Sequence, residues 1–222
     1  MDKKKIFWIL ITIVISVLLL IVVINLVFKK DTVNEGKFRV SDVVLTSSAE
    51  LTNKTEKNGV WSIDLSQKNK LSILVTAATG VDISRMYLSD VTTNKGNVVF
   101  SQLDNENKLT LSRNGQELEV EYTLDENNQI LLEFVVLNEN VLKDWMVPEN
   151  TKQIVYDGRM LTTAGVKLED IQFKLKFKLN IVESAGKTNT MKVELLLPNE
   201  ELVTTGADIR RLSLSDFKFK VN

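Results

Sequence analysis

Residues 79–90 read TGVDISRMYLSD, and residues 205–216 read TGADIRRLSLSD, an echo of twelve positions at a spacing of 126. Each copy opens with Thr-Gly (Thr79-Gly80 and Thr205-Gly206), a pair suited to a turn. Apolar side chains then alternate, Met86 with Leu88 in the first copy and Leu212 with Leu214 in the second. A period of two marks a strand with one buried face. After Ser-Asp the parity flips: Phe217, Phe219 and Val221 carry the apolar side, and Val91 begins the same shift in the first copy. One extra residue in a strand produces such a flip, so Ser89-Asp90 and Ser215-Asp216 are predicted β-bulges.

The likeness extends backwards. IDLSQKNKLSILV precedes the first motif and LNIVESAGKTNTMKVELLL the second, and both read as strand, polar turn, strand. Further back, Gly36-Lys-Phe and Gly158-Arg-Met form a weaker match. This is the pattern of an internal duplication, with copies at about 37–97 and 155–222 and an intervening hairpin segment at 98–150. A lone β-unit of about 60 residues buries little surface. The copies could pair as halves of one sandwich or each form a small domain; no Gly/Pro/Ser-rich linker separates them, so one sandwich built from both is expected.

The intervening segment alternates as well. Leu109 and Leu111, then Leu118, Val120, Tyr122 and Leu124, share one parity, and Asn114-Gly115 lies between the two runs. Asn-Gly tolerates the positive φ angles of a tight hairpin, which is predicted here. Asp125-Glu-Asn-Asn-Gln129 then turns the chain into ILLEFVVL, a more fully buried strand. FRVSDVVL, VWSIDLS, LSILV, NVVFS, QIVYDG, FKLKFKL, MKVELLL and DFKFKV are further strands. The stretch 138–148 is ambiguous, either a helical turn ended by Pro148 or a loop pinned by Trp145. No amphipathic helix stands out after the N-terminus. Strands at this density, with turn signals between them, predict an all-β, antiparallel β-sandwich.

The N-terminus differs in kind. From Ile6 to Phe28 no residue is charged. At about 1.5 Å per residue such a helix spans roughly 35 Å, against a hydrocarbon core of about 30 Å. A cleaved signal peptide has a shorter apolar region and a small-x-small site, and VINLVFKKD offers none. One transmembrane α-helix acting as an uncleaved signal anchor at 6–28 is therefore expected, with the lipid bilayer as its partner. Lys3, Lys4 and Lys5 place residues 1–5 in the cytoplasm. Residues 29–36 form a linker and 37–222 an extracytoplasmic domain at the cell membrane.

Composition closes several chemistries. With neither histidine nor cysteine, the usual Ser-His-Asp and Cys-His sites and imidazole or thiolate zinc sites are excluded. No Gly-rich phosphate loop is present. Of 28 Lys and Arg and 29 Asp and Glu, the first 28 residues hold three Lys and one Asp, so the remainder carries a net charge of −3. No clustered basic excess points to nucleic acid. No cofactor or metal is expected.

What remains is binding chemistry. Arg85 and Arg211 fall at matched positions and could grip an anion, or pair with Asp82 and Asp208 three residues before them. Trp61 and Trp145 could stack on a sugar, or pack. Asp82, Asp90, Asp208 and Asp216 could ligate calcium, although aspartate at turns and bulges ordinarily caps nearby amides. Glu117, Glu119 and Glu121 could supply glycosidase carboxylates, although such a row ordinarily keeps a sheet soluble. Lys174, Lys176 and Lys178 could face water, pair with that glutamate row on an adjacent strand, or face an acidic envelope polymer. Asn53-Lys-Thr55 matches the glycosylation sequon, a match that chance alone also gives in a chain this rich in asparagine. Taken together, a non-enzymatic binding or assembly domain is expected, with an envelope protein or polymer as partner. A carbohydrate-binding or calcium-dependent adhesive module is the alternative.

Overall fold

The computed structural model describes residues 36–95, 98–103, 108–111, 117–147, 158–197 and 199–221. The apolar run 6–28, Asn114-Gly115 and most of QIVYDG lie outside them. Among the described residues, no helix is long and apolar enough to cross a membrane. From Lys37 onward the chain forms one compact unit.

Eleven strands occur among the described residues. They are β1 (Phe38–Lys57), β2 (Val60–Ala77), β3 (Ile83–Thr93), β4 (Val98–Leu103), β5 (Lys108–Leu111), β6 (Leu118–Glu119), β7 (Gln129–Met146), β8 (Lys174–Glu183), β9 (Thr188–Leu196), β10 (Ala207–Arg211) and β11 (Phe219–Val221). They make two antiparallel sheets, ordered β10-β1-β2-β7-β4-β5 and β11-β9-β8-β3-β6.

Alternation explains the core. Leu71, Ile73 and Val75 on β2, Ile130, Leu132 and Phe134 on β7, and Phe177, Leu179 and Ile181 on β8 are all buried in one cluster with Met86 and Leu88 of β3. The rings of Phe134 and Phe177 meet across the sheets at 6.2 Å. Fully burying one such side chain contributes about 1.5–3 kcal/mol.

The repeated motif appears in the topology. In the first copy, the hairpin β1–β2 lies in the first sheet, and after Thr79-Gly80 the third strand, β3, joins the second sheet beside β8. In the second copy, the hairpin β8–β9 lies in the second sheet, and after Thr205-Gly206 the third strand, β10, joins the first sheet beside β1. Each third strand thus pairs with the opening strand of the other copy's hairpin. Matched Arg85 and Arg211 both sit opposite a valine, Val182 and Val44. Gly80 and Gly206 share a left-handed φ, 77° and 75°.

Local details divide. The bulge predicted at Ser89-Asp90 is present: Ser89 pairs with Lys178 and Thr92 with Lys176, and Asp90 has φ 53°. That at Ser215-Asp216 is not, because Leu214–Asp216 form a 3-10 turn that delivers Phe217 to the core. The hairpin expected across Asn114-Gly115 is also corrected. β5 pairs with β4 in the first sheet, whereas β6 pairs with β3 in the second, so its two arms part company. The other Asn-Gly pair makes a tight hairpin instead, with Asn58 at φ 54° and Gly59 at φ 77° joining Lys57 to Val60. The ambiguous stretch 138–148 is strand up to Met146, with register shifts opposite Leu65.

β1, β2 and β7 are 20, 18 and 18 residues long, against 11 or fewer in the second sheet. Their far ends overhang it. Three short helices bury part of that overhang: α1 (Met160–Thr163), α2 (Leu168–Ile171) and α3 (Glu200–Thr205). Leu161, Ile171 and Leu202 pack there with Ile63, Leu65 and Ala49 as a second cluster. At four to six residues each, these helices are too short for a 3.6-residue period to stand out in the sequence.

Candidate functional site

Arg85 projects from β3 and Arg211 from β10, in different sheets. Arg85 lies 4.5 Å over the Tyr87 ring and bridges Glu117 at 3.5 Å and Glu119 at 3.6 Å. Arg211 Nε binds Asp42 Oδ1 at 2.9 Å. Neither pairs with the aspartate three positions before it, because residues three apart on a strand point to opposite faces. The rule predicts a partner two positions away, and Arg210 meets Asp208 at 2.6 Å. Trp61 and Trp145 each pack, half-buried, against the second cluster, as do Leu51, Val141 and Val147.

The glutamate and lysine rows do not pair with each other, because β3 stands between β6 and β8. Glu117 and Glu119 take Arg85, Lys176 binds Glu194 at 2.9 Å, and Lys178 pairs with Asp90 on the bulge. The bond from Lys176 holds the Glu194 carboxyl below its ordinary pKa.

Two side-chain groups escaped the sequence reading because they face inward. The first crosses the long sheet between the two apolar clusters. Ser47 Oγ donates to Asn69 Oδ1 at 2.7 Å and Asn138 Nδ2 to Gln67 Oε1 at 3.1 Å, all buried, with Asn199 leaning in from the start of α3. Asn69 Nδ2 has no partner. Asn69 shares the parity of Ile63, Leu65, Leu71 and Ile73, and that parity was the available signal. The second group plugs an end of the core. Buried Glu183 pairs with Lys37 and accepts from Asn189 Nδ2 at 3.0 Å. These two bonds, Lys37 first, pull its pKa below 4.5. The stabilisation this gives is complete above that value and is lost as pH falls through the lowered one.

The outer face of the second sheet gathers Lys176, Lys178, Lys192, Lys218 and Lys220. Two adjoining grooves cross it. One, of about 490 Å³, has Lys176, Lys178, Asp90 and Thr92 in its wall, and the other, of about 420 Å³, has Lys218, Lys220, Thr190 and Ser215. Lys192 and Glu194 line both. Lys178 and Lys192 sit directly opposite each other across β8 and β9. Like charges so placed cost on the order of 0.2–1 kcal/mol. The sequence offered half of this face, the Lys174 row. Lys192, Lys218 and Lys220 join it only through long-range pairing of β9 with β8 and β11.

Among the described residues, no group of three or more carboxylates lies close enough to hold a metal ion. Compared with known proteins, the chain matches no family model, no curated protein and no solved structure.

Proposed function

We propose that this chain is a single-pass protein of the cell envelope, with residues 6–28 as an uncleaved signal anchor and a non-enzymatic binding or assembly domain from Lys37 onward on the outer side. The observation that carries this reading is the 23-residue uncharged run behind MDKKK, joined by a short polar linker to a compact unit with its own two apolar clusters. The non-enzymatic half rests on the carboxylates. Glu117 and Glu119 are exposed and tied to Arg85 rather than facing each other across a cleft. We read the two echoed segments as a duplication, supported by the reciprocal exchange of their third strands.

The absence of cysteine makes the test clean. Single-cysteine variants at Asp2 and at Lys54 are exposed in intact cells to a membrane-impermeant maleimide. Labelling at residue 54 but not at residue 2, with the protein staying in the membrane after carbonate washing, is the expected result. Full-length protein in the soluble fraction, or labelling at residue 2 alone, refutes the anchor and its orientation.

A further inference from the structure

The geometry points to the grooved outer face of the second sheet as the binding site for a linear phosphate-bearing polymer. This inference deepens the binding role proposed above and rests on it, but not on the anchor.

The first argument is unspent charge. Lys176 and Lys178 are matched by Glu194 and Asp90. Lys192, Lys218 and Lys220 are exposed, and among the described residues none of them has an ion-pair partner. All three line the 420 Å³ groove, with Ser215 beside them, while the hydroxyl of buried Thr190 donates to Asn180 at 2.8 Å. The domain around this face is net acidic, so its positive charge is local rather than a property of the whole surface.

The second argument is ligand chemistry. Both grooves contain lysine and hydroxyl groups but no arginine. A guanidinium fork grips carboxylate and phosphate alike, whereas an ammonium is a compact point charge, the form in which lysine holds a phosphate group without fixing its orientation. The one aromatic residue lining them, Phe177, is buried in the core and gives bases nothing to stack on.

The third argument is shape. The grooves adjoin through Lys192 and Glu194 and so form a track across β8, β9 and β11. Asp90, Glu194 and Asp216 are interspersed among the lysines. A flat sheet of anionic headgroups would meet those carboxylates, while a narrow chain can follow the ammonium groups past them. Along a strand, lysines two apart repeat about every 6.6 Å, and neighbouring strands lie about 4.8 Å apart. A flexible chain with a charge at each short repeat unit can meet both spacings.

The test uses the full chain in a zwitterionic detergent, with long-chain inorganic polyphosphate as the probe and poly-L-glutamate of equal charge as the comparison, followed by calorimetry. Saturable binding of polyphosphate is expected, weaker by roughly tenfold or more between 50 and 200 mM salt. The triple variant K192E/K218E/K220E is expected to lose at least tenfold. The milder K192Q/K218Q/K220Q, which leaves these exposed positions uncharged, is expected to lose severalfold while melting as the parent does. Reversal of two lysines at the far end of β1, K54E/K57E, is expected to change affinity less than twofold. The inference is overturned by any of three results: no saturable binding of polyphosphate, equal loss in K54E/K57E, or binding of polyglutamate or anionic vesicles in preference to polyphosphate. None of these would alter the labelling result, so the anchor and this site fail separately.

Discussion

The two copies of the twelve-residue motif have nearly the same letters and different fates. Residues 83–93 run through the interior of the second sheet, with β8 on one side and β6 on the other. Among the described residues, 207–211 form an edge of the first sheet with β1 as the sole neighbour, and the end of that motif coils into a 3-10 turn. Leu88 is fully buried, while its counterpart Leu214 is 40% exposed. Both copies keep a glycine at left-handed φ, Gly80 in the turn after β2 and Gly206 as the C-cap of α3, and both then cross to the opposite sheet. How far the strand then extends depends on the neighbours available to pair with it.

That contrast can be broken by mutation. The largest difference is expected at the matched leucines. Leu88→Ala empties a core site and should cost about 2–5 kcal/mol, whereas Leu214→Ala should stay within about 0.5 kcal/mol. Urea unfolding followed by tryptophan fluorescence measures both, and equal losses would mean that the copies share one environment after all.

Next comes the entry to the second copy. A Cβ at Gly158 would lie 2.0 Å from the Thr205 carbonyl oxygen, which is backbone and has little room to yield. Gly158→Ala should therefore cost about 1–3 kcal/mol. It should also reduce amide protection in α3 before protection in β3 changes, as read by hydrogen exchange.

The shared turn should respond symmetrically. Gly80→Ala and Gly206→Ala force a left-handed side-chain residue and should each cost about 1–2 kcal/mol. Open space around Gly80 leaves no steric term to add there. A difference larger than about 1 kcal/mol between their melting curves would show that the two turns are not equivalent.

The smallest effect is expected at the matched arginines. Arg85→Ala and Arg211→Ala each remove exposed ion pairs worth about 0–1 kcal/mol. Arg85→Ala should be the costlier, since it also lifts the guanidinium from Tyr87. Salt should narrow that gap.

Much of the fold was legible because it is written in parity. The sandwich class, the strand that follows the Asp125 turn and the bulge at Asp90 all follow from alternation or from one side chain bonding a nearby amide, although Leu131 in that strand is 57% exposed rather than buried. Long-range pairing was not legible. Asn114-Gly115 and Asn58-Gly59 look alike locally, and only tertiary partners separate the strands flanking the first while the second closes a hairpin. The lysine face suffered similarly. Lys174, Lys176 and Lys178 announced themselves as a row, but Lys192 and Lys220 sit singly in their own strands and gain meaning only from β9's position. The buried Ser47–Asn69–Asn138 layer was readable in principle, as polar letters at core parity, yet those letters resemble an ordinary turn.

The pairing of β1 with β10 also has a consequence for biogenesis. A ribosome delivers the β1–β2 hairpin well before the strand that shields its outer rim. Until Ala207–Arg211 arrive, Val44–Ser48 present open amides and carbonyls to any neighbour. A chain truncated at Gly206 should keep its long hairpin but self-associate through that rim, visible as oligomers in sedimentation.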